Sequence, residues 1–221
     1  MSHTRANLVK QAELNKLTNA SMKKVARRHR WRSISGQAFW REGNLFFVLG
    51  CFGLARQRSL HSTLRFKWFS LDDQLWNILG LSSNAAGPMS LRANGAFTIT
   101  GQSVFEDKTE DSEWSPEWVE AKLEDVAAVA AAKATEVASV IRNIDDYLVF
   151  IERGHAALIA RYPNAVVTIW VERLLAALDK NDRATAARIA TARIEAGDVG
   201  SFMVDGQTFY QRAREYVGRD A

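Results

Sequence analysis

Trp31, Phe39 and Trp40 stand among a dense set of cations: Arg27, Arg28, Arg30, Arg32, Arg41, Arg56, Arg58, Arg65 and Lys67. Aromatic rings that stack on bases, set beside arginines that neutralise phosphates on one antiparallel sheet, can bind single-stranded nucleic acid. The residues such a face would use are Trp40, Arg41, Arg56, Arg58, Arg65 and Lys67. The strand pattern characteristic of RNA-recognition sheets is absent, and aromatics at strand spacing more often fill a core than stack on a ligand. Nucleic-acid binding by the basic N-terminal half is therefore an alternative to the leading reading.

Other chemistries find weaker footing. His3, His29, His61 and His155 have no partner at a metal-ligand spacing, and Cys51 is the single cysteine. The sequence thus implies no metal, no cofactor and no intramolecular disulfide. Cys51 falls inside an apolar strand, where a thiol is buried and inert. Asp72-Asp73, Asp145-Asp146 and the acidic run Glu106–Glu113 could supply an acid/base pair for a hydrolase. Adjacent acids on a helix point in different directions, however, and acidic linkers are normally solvated. The glycines at 50, 53, 197 and 200 match no phosphate-binding fingerprint.

Charge is unevenly placed. Residues 1–70 hold 14 Lys and Arg against 2 acids, residues 71–130 hold 3 against 11, and residues 131–221 hold 12 against 12. A separation of this kind bears on partners or on internal docking. It predicts that the acidic segment from Glu106 to Asp125 lies against the basic first helix or the Arg56–Arg58 loop. No secretory leader or membrane-length apolar run is visible, so a soluble, cytoplasmic protein is expected.

The elements that must carry these residues follow from periodicity. Residues 4 to about 29 read as an amphipathic helix, capped by Thr4, with Leu8, Ala12, Leu14, Leu17, Met22 and Val25 on its apolar side. A three-strand meander follows, with a hairpin turn at Glu42-Gly43-Asn44. Its middle strand, Leu45 to Phe52, is apolar on both faces. In the third, Leu60, Ser62, Leu64, Phe66 and Trp68 point one way and His61, Thr63, Arg65 and Lys67 the other. Ser70 or Asp72 caps a short helix stopped by Gly80, and residues 81–95 read as loop. Phe97, Ile99 and Phe105 suggest a fourth strand. Ser115-Pro116-Glu117 starts a long helix running to Arg153, roughly 50 Å if unbroken, ended or kinked by Gly154. Three shorter helices follow: Asn164–Leu178, one capped by Asn181 or Asp182 and closed at Gly197, and Gln207–Val217.

The blocks RHRWRSISGQAFWREGNLFFVLGCFG, RSLHSTLRFKWFSLDDQLWNILGL and PMSLRANGAFTI resemble a family of uncharacterised bacterial α+β domains. Members have a helix ending in a basic aromatic step, a strand with an aromatic-Arg pair (here Trp40-Arg41), an apolar strand and a third amphipathic strand. The likeness covers residues 10–105. Ala55-Arg56-Gln57-Arg58-Ser59 stands where such families carry a Gln-Lys-Ser-like step. The resemblance implies an α+β fold and no catalytic residues. Some relatives look like immunity or defence-associated proteins that bind a partner protein.

The expected architecture is α+β: a helix-backed antiparallel sheet of about four strands over 1–112, then an all-helical region over 113–221 with one long helix. The expected function is that of a non-enzymatic interaction protein of a bacterial cytoplasm, immunity- or defence-like. Its partner would be another protein, or a second copy met through the long helix.

Overall fold

The computed structural model describes residues 10–110, 114–163 and 169–219. The fold is α+β, with an antiparallel five-stranded sheet followed by a helical part. The strands β1 (Arg32–Ile34), β2 (Gln37–Glu42), β3 (Leu45–Leu54), β4 (Ser59–Trp68) and β5 (Gln102–Thr109) lie side by side in chain order. The fifth strand beyond the expected four is β1, whose three residues are too few to show alternation. Two compact units emerge: Met1–Glu42, Phe46–Phe66 and Ser103–Ala138 form the first, and Gly43–Leu45, Lys67–Gln102 and Ser139–Ala221 the second. They interleave along the chain.

The first unit is built on α1 (Gln11–Arg28) and the sheet. The buried stripe of α1 is Leu14, Thr18, Ser21, Met22, Val25 and Ala26. This is the three-and-four spacing of a helix face. Ala12, expected on that stripe, is exposed and Leu17 half-buried, while Thr4 and Leu8 lie outside the described residues. Leu14 packs on the backbone of Gly53, so the helix covers the sheet side that carries Phe47, Leu49 and Cys51. Residues Phe47, Leu49, Leu64 and Phe66 are buried as the alternation predicts, each at most 1% exposed. Ser35 and Gly36 turn β1 into β2 with positive φ at both positions, the backbone of a tight hairpin. Any Cβ on Gly36 would come within 2.8 Å of the Asn19 side chain and 3.1 Å of the Cys51 carbonyl. The 25-residue α4 (Pro116–Val140) starts where the sequence places it, and the Ser115 hydroxyl accepts the Trp118 N–H.

The second unit holds α2 (Leu71–Leu79), α3 (Ser90–Asn94), α5 (Ile144–Arg161), α6 (Ile169–Asp179), α7 (Arg183–Glu195), the two-residue strands β6 (Met203–Val204) and β7 (Gln207–Thr208), and α8 (Phe209–Gly218). The long helix expected to reach Arg153 is two helices. The chain breaks at residues 141–143, and Asn143 caps α5 by accepting the N–H groups of Asp145 and Asp146. At about 1.5 Å per residue α4 spans roughly 37 Å. Gly154 does not end a helix but lies inside α5, where a Cβ would sit 2.8 Å from the Gln102 side chain. Phe97 and Ile99 lie outside β5, because side chains take their backbone groups. The Trp76 indole donates to the Phe97 carbonyl at 2.5 Å, the Ile99 N–H goes to Asp72, and Lys67 donates to the Ile99 carbonyl. Residues 81–95, expected as loop, include a 3-10 turn and α3. Gly80 and Gly197 stop α2 and α7, and Asp182 caps α7 through the Thr185 N–H. The expected start of α6 near Asn164 lies outside the described residues.

Candidate functional site

The sheet sorts its side chains by alternation. Phe47 stacks on Phe66, the Cys51 thiol donates to the Ser62 hydroxyl, and Phe52 stacks on His61. These three contacts fix one antiparallel register, which sets Thr63 beside Gly50 and Arg65 beside Val48. Phe39 and Phe46 meet on that same side. One face of the sheet therefore carries Phe39, Arg41, Val48, Gly50, Phe52, His61, Thr63 and Arg65; the helix-covered face carries Trp40, Phe47, Cys51, Leu64 and Phe66.

This geometry separates the residues that the basic-face reading groups together. Arg41, Arg56, Arg58 and Arg65 are exposed, Arg56 within the 3-10 turn Ala55–Gln57 between β3 and β4 and Arg58 at its C-cap. Trp40 lies on the opposite face from Arg41 and Arg65. It is stacked between Trp31 at 4.0 Å and Phe47 at 5.3 Å, in a row of rings that begins at His29 and ends at Phe66. Lys67 is not part of an exposed surface: 2% of it reaches solvent. Its ammonium donates to the carbonyls of Arg92 and Ile99, both at 2.8 Å, and lies 2.8 Å from an Asp72 carboxylate oxygen. Of the aromatics on the face with Arg41 and Arg65, Phe39 and Phe46 are buried, at 2% and 0% exposure, and Phe52 is 50% exposed. In the sequence Phe52 lies within the two-sided apolar run of β3, where nothing distinguishes it from its buried neighbours.

The expected docking of acid onto base is present in the first unit. Glu120 meets Lys24 at 2.9 Å and Arg28 at 2.8 Å, while Glu124 meets Arg28 at 2.9 Å and His29 at 2.7 Å. Hydrogen bonding to Glu120 raises the Arg28 pKa, and Lys24 and Arg28 lower that of Glu120. The sequence supports this directly, since Lys24/Arg28 and Glu120/Glu124 are each one turn apart on one helix face.

A second cluster, wholly within the second unit, has no sequence signature. Asp72 is 0% exposed and Arg92 6%. The Arg92 guanidinium lies over the rings of Phe69 and Trp76, donates to the Phe69 carbonyl and pairs with Asp73 at 2.6 Å. Burial is the main influence on the Lys67–Asp72 pair, pulling the lysine down and pushing the carboxyl up, and each charge opposes the other's shift. Tyr147 donates to Glu172, and burial first, then Glu172, pushes its phenol well above the usual value. These groups resemble an active site in composition. Their bonds argue otherwise. The Lys67 ammonium has two carbonyl acceptors and a carboxylate oxygen at 2.8 Å, and Asp72 also accepts the Ile99 N–H at 2.9 Å. Such a node pins the chain around Ile99 onto α2.

No protein-family model, curated protein or solved structure matches the chain. The acids considered for hydrolysis have structural duties: Asp73 holds Arg92, Asp145 pairs with Lys180, and Asp146 accepts the Arg142 N–H. Cys51 is 5% exposed, and burial pushes its thiol up to about 12. Among the described residues no three His, Cys, Asp or Glu side chains could hold a metal ion, and no helix is long and apolar enough to cross a membrane.

Proposed function

We propose that the protein is a non-enzymatic interaction module of a bacterial cytoplasm, of the immunity or defence type, whose partner is another protein. The observation that carries this reading is the engagement of Lys24, Arg28 and His29 by Glu120 and Glu124. A surface built to hold phosphates by charge keeps its densest cations free, because affinity there scales with counterions released. Here two of the five Lys and Arg side chains at the end of the most basic helix, Lys24 and Arg28, are engaged from within. The nucleic-acid alternative keeps the exposed Arg41 and Arg65 on the same face as Phe52 and His61, with Arg56 and Arg58 exposed at the turn into β4.

The test is a fluorescence titration with single-stranded and duplex oligonucleotides at low and moderate salt. Weak binding is expected, in the non-specific range of about 10⁻⁴–10⁻⁶ M, vanishing as salt rises. Binding tighter than about 1 μM at moderate salt, lost in Arg65→Ala, would replace this reading with the nucleic-acid one. Lys67 is unsuited to that test, since its removal would strand a buried carboxylate.

A further inference from the structure

The open face of the sheet has a feature that neither its charge nor its aromatic content announces. Gly50, in the middle of central strand β3, has nothing within 4 Å of where a Cβ would lie. Its neighbours on that face are Val48 and Phe52 along the strand and Thr63 across it. The sheet is thus notched to bare backbone beside an aromatic ring that is 50% exposed. That ring is already ordered, lying 5.2 Å from the His61 ring at an interplanar angle of 11°. An ordered ring loses little freedom on binding, and aromatic anchors next to a depression are where binding energy concentrates.

Cations stand along the strands to either side of this notch. Arg65 stands beside Val48 on the same face, and Arg56 and Arg58 follow β3 at the turn into β4. All three are exposed. Among the described residues they make no ion pair, in contrast to Lys24 and Arg28.

We propose that the notch over Gly50 is a docking site for an acidic segment of a partner protein. One apolar or aromatic side chain of that segment would lie against Phe52, and its carboxylates would meet Arg65, Arg58 and Arg56. This rests on the interaction-module reading above and names the partner's chemistry. A protein segment fits better than a nucleic acid because the face offers one exposed aromatic ring, where single-strand platforms stack two or three bases.

The test uses Gly50→Leu, which fills the notch where the structure has open space, and Arg65→Glu, which inverts the nearest charge. Lys23→Ala/Arg27→Ala on α1 is the control. Thermal melts establish that each variant is folded. The probes are a fluorescein-labelled Glu-rich peptide with one central Trp and a fluorescein-labelled oligothymidylate, both followed by anisotropy at moderate salt. The peptide is expected to bind in the micromolar range. Gly50→Leu and Arg65→Glu should weaken it tenfold or more, the α1 variant should leave it unchanged, and the oligonucleotide should bind more weakly than the peptide. Peptide binding that survives Gly50→Leu but fails in the α1 variant overturns the site while leaving the interaction-module reading standing. Oligonucleotide binding that is tighter than the peptide's and lost in the notch variants overturns both. No peptide binding at any concentration tested overturns the site.

Discussion

Two ion-pair clusters in this molecule use the same chemical groups in opposite surroundings. The cations of the first unit's cluster, Lys24 and Arg28, keep 62% and 49% of their side-chain surface in water. In the second unit, Lys67 and Asp72 keep 3% and 0%. Exposed pairs contribute little net stability, because water already solvates both partners and salt screens them. A buried pair gives up that solvation first, and its attraction must recover the loss. The first cluster can therefore be rearranged or released at small cost. The second cannot lose a member without leaving a charge where nothing solvates it.

The largest expected effect comes from breaking the buried pair. Asp72→Ala should cost about 3–5 kcal/mol in urea denaturation, the usual penalty for stranding one partner of a buried pair. Replacing both charges, as in Lys67→Met with Asp72→Leu, should restore much of that loss if the penalty is desolvation. A single variant that costs under about 1 kcal/mol would mean that water reaches the site.

A middle-sized effect is expected at Cys51 and depends on pH. Its folded-state pKa of about 12 lies above the unfolded value of about 8.5. The thiol's contribution is complete below the unfolded value and is lost as pH rises towards the folded one. Stability should thus decline above about pH 8.5, and less steeply in Cys51→Ala. The native thiol should also resist a disulfide reagent at pH 8 and react once the chain is unfolded. Rapid native labelling would contradict the burial.

The smallest effect on stability should come from the exposed cluster. Glu120→Gln with Glu124→Gln should leave the urea midpoint nearly unchanged. The same change frees Lys24 and Arg28, so it should raise oligonucleotide affinity at low salt and lose that gain at moderate salt. A large loss of stability would show that the two clusters differ less than their exposure implies.

Much of this fold is legible in the sequence. The turn at Gly43-Asn44, the two-sided apolar run of β3 and the alternation of β4 place the sheet, because each is a local pattern. The α1–α4 pairing was legible as a charge imbalance, because like charges clustered in one stretch require opposite charge or solvent. The buried node was not. Its members, Lys67, Asp72, Arg92 and Ile99, are separated by up to 32 residues, and no periodicity links them. Alternation placed Lys67 with Arg65, and it does follow that phase. What buries it is the chain between Asp72 and Ile99, invisible to a rule about one strand. The break after Val140 was written locally, as Asn143 ahead of two aspartates, but the apolar spacing ran through it and hid the cap. Phe52 was similarly masked: a run apolar on both faces does not show which of its residues will face solvent.

Arg58 adopts φ 47 where the 3-10 turn closes into β4. Side chains other than glycine's disfavour this left-handed backbone by about 1–2 kcal/mol. Glycine at position 58 would relieve that conflict and at the same time delete a cation from the rim of the sheet. One position thus sets backbone comfort against surface charge, and a stability screen that selects only for heat tolerance would be drawn to the substitution that strips this rim.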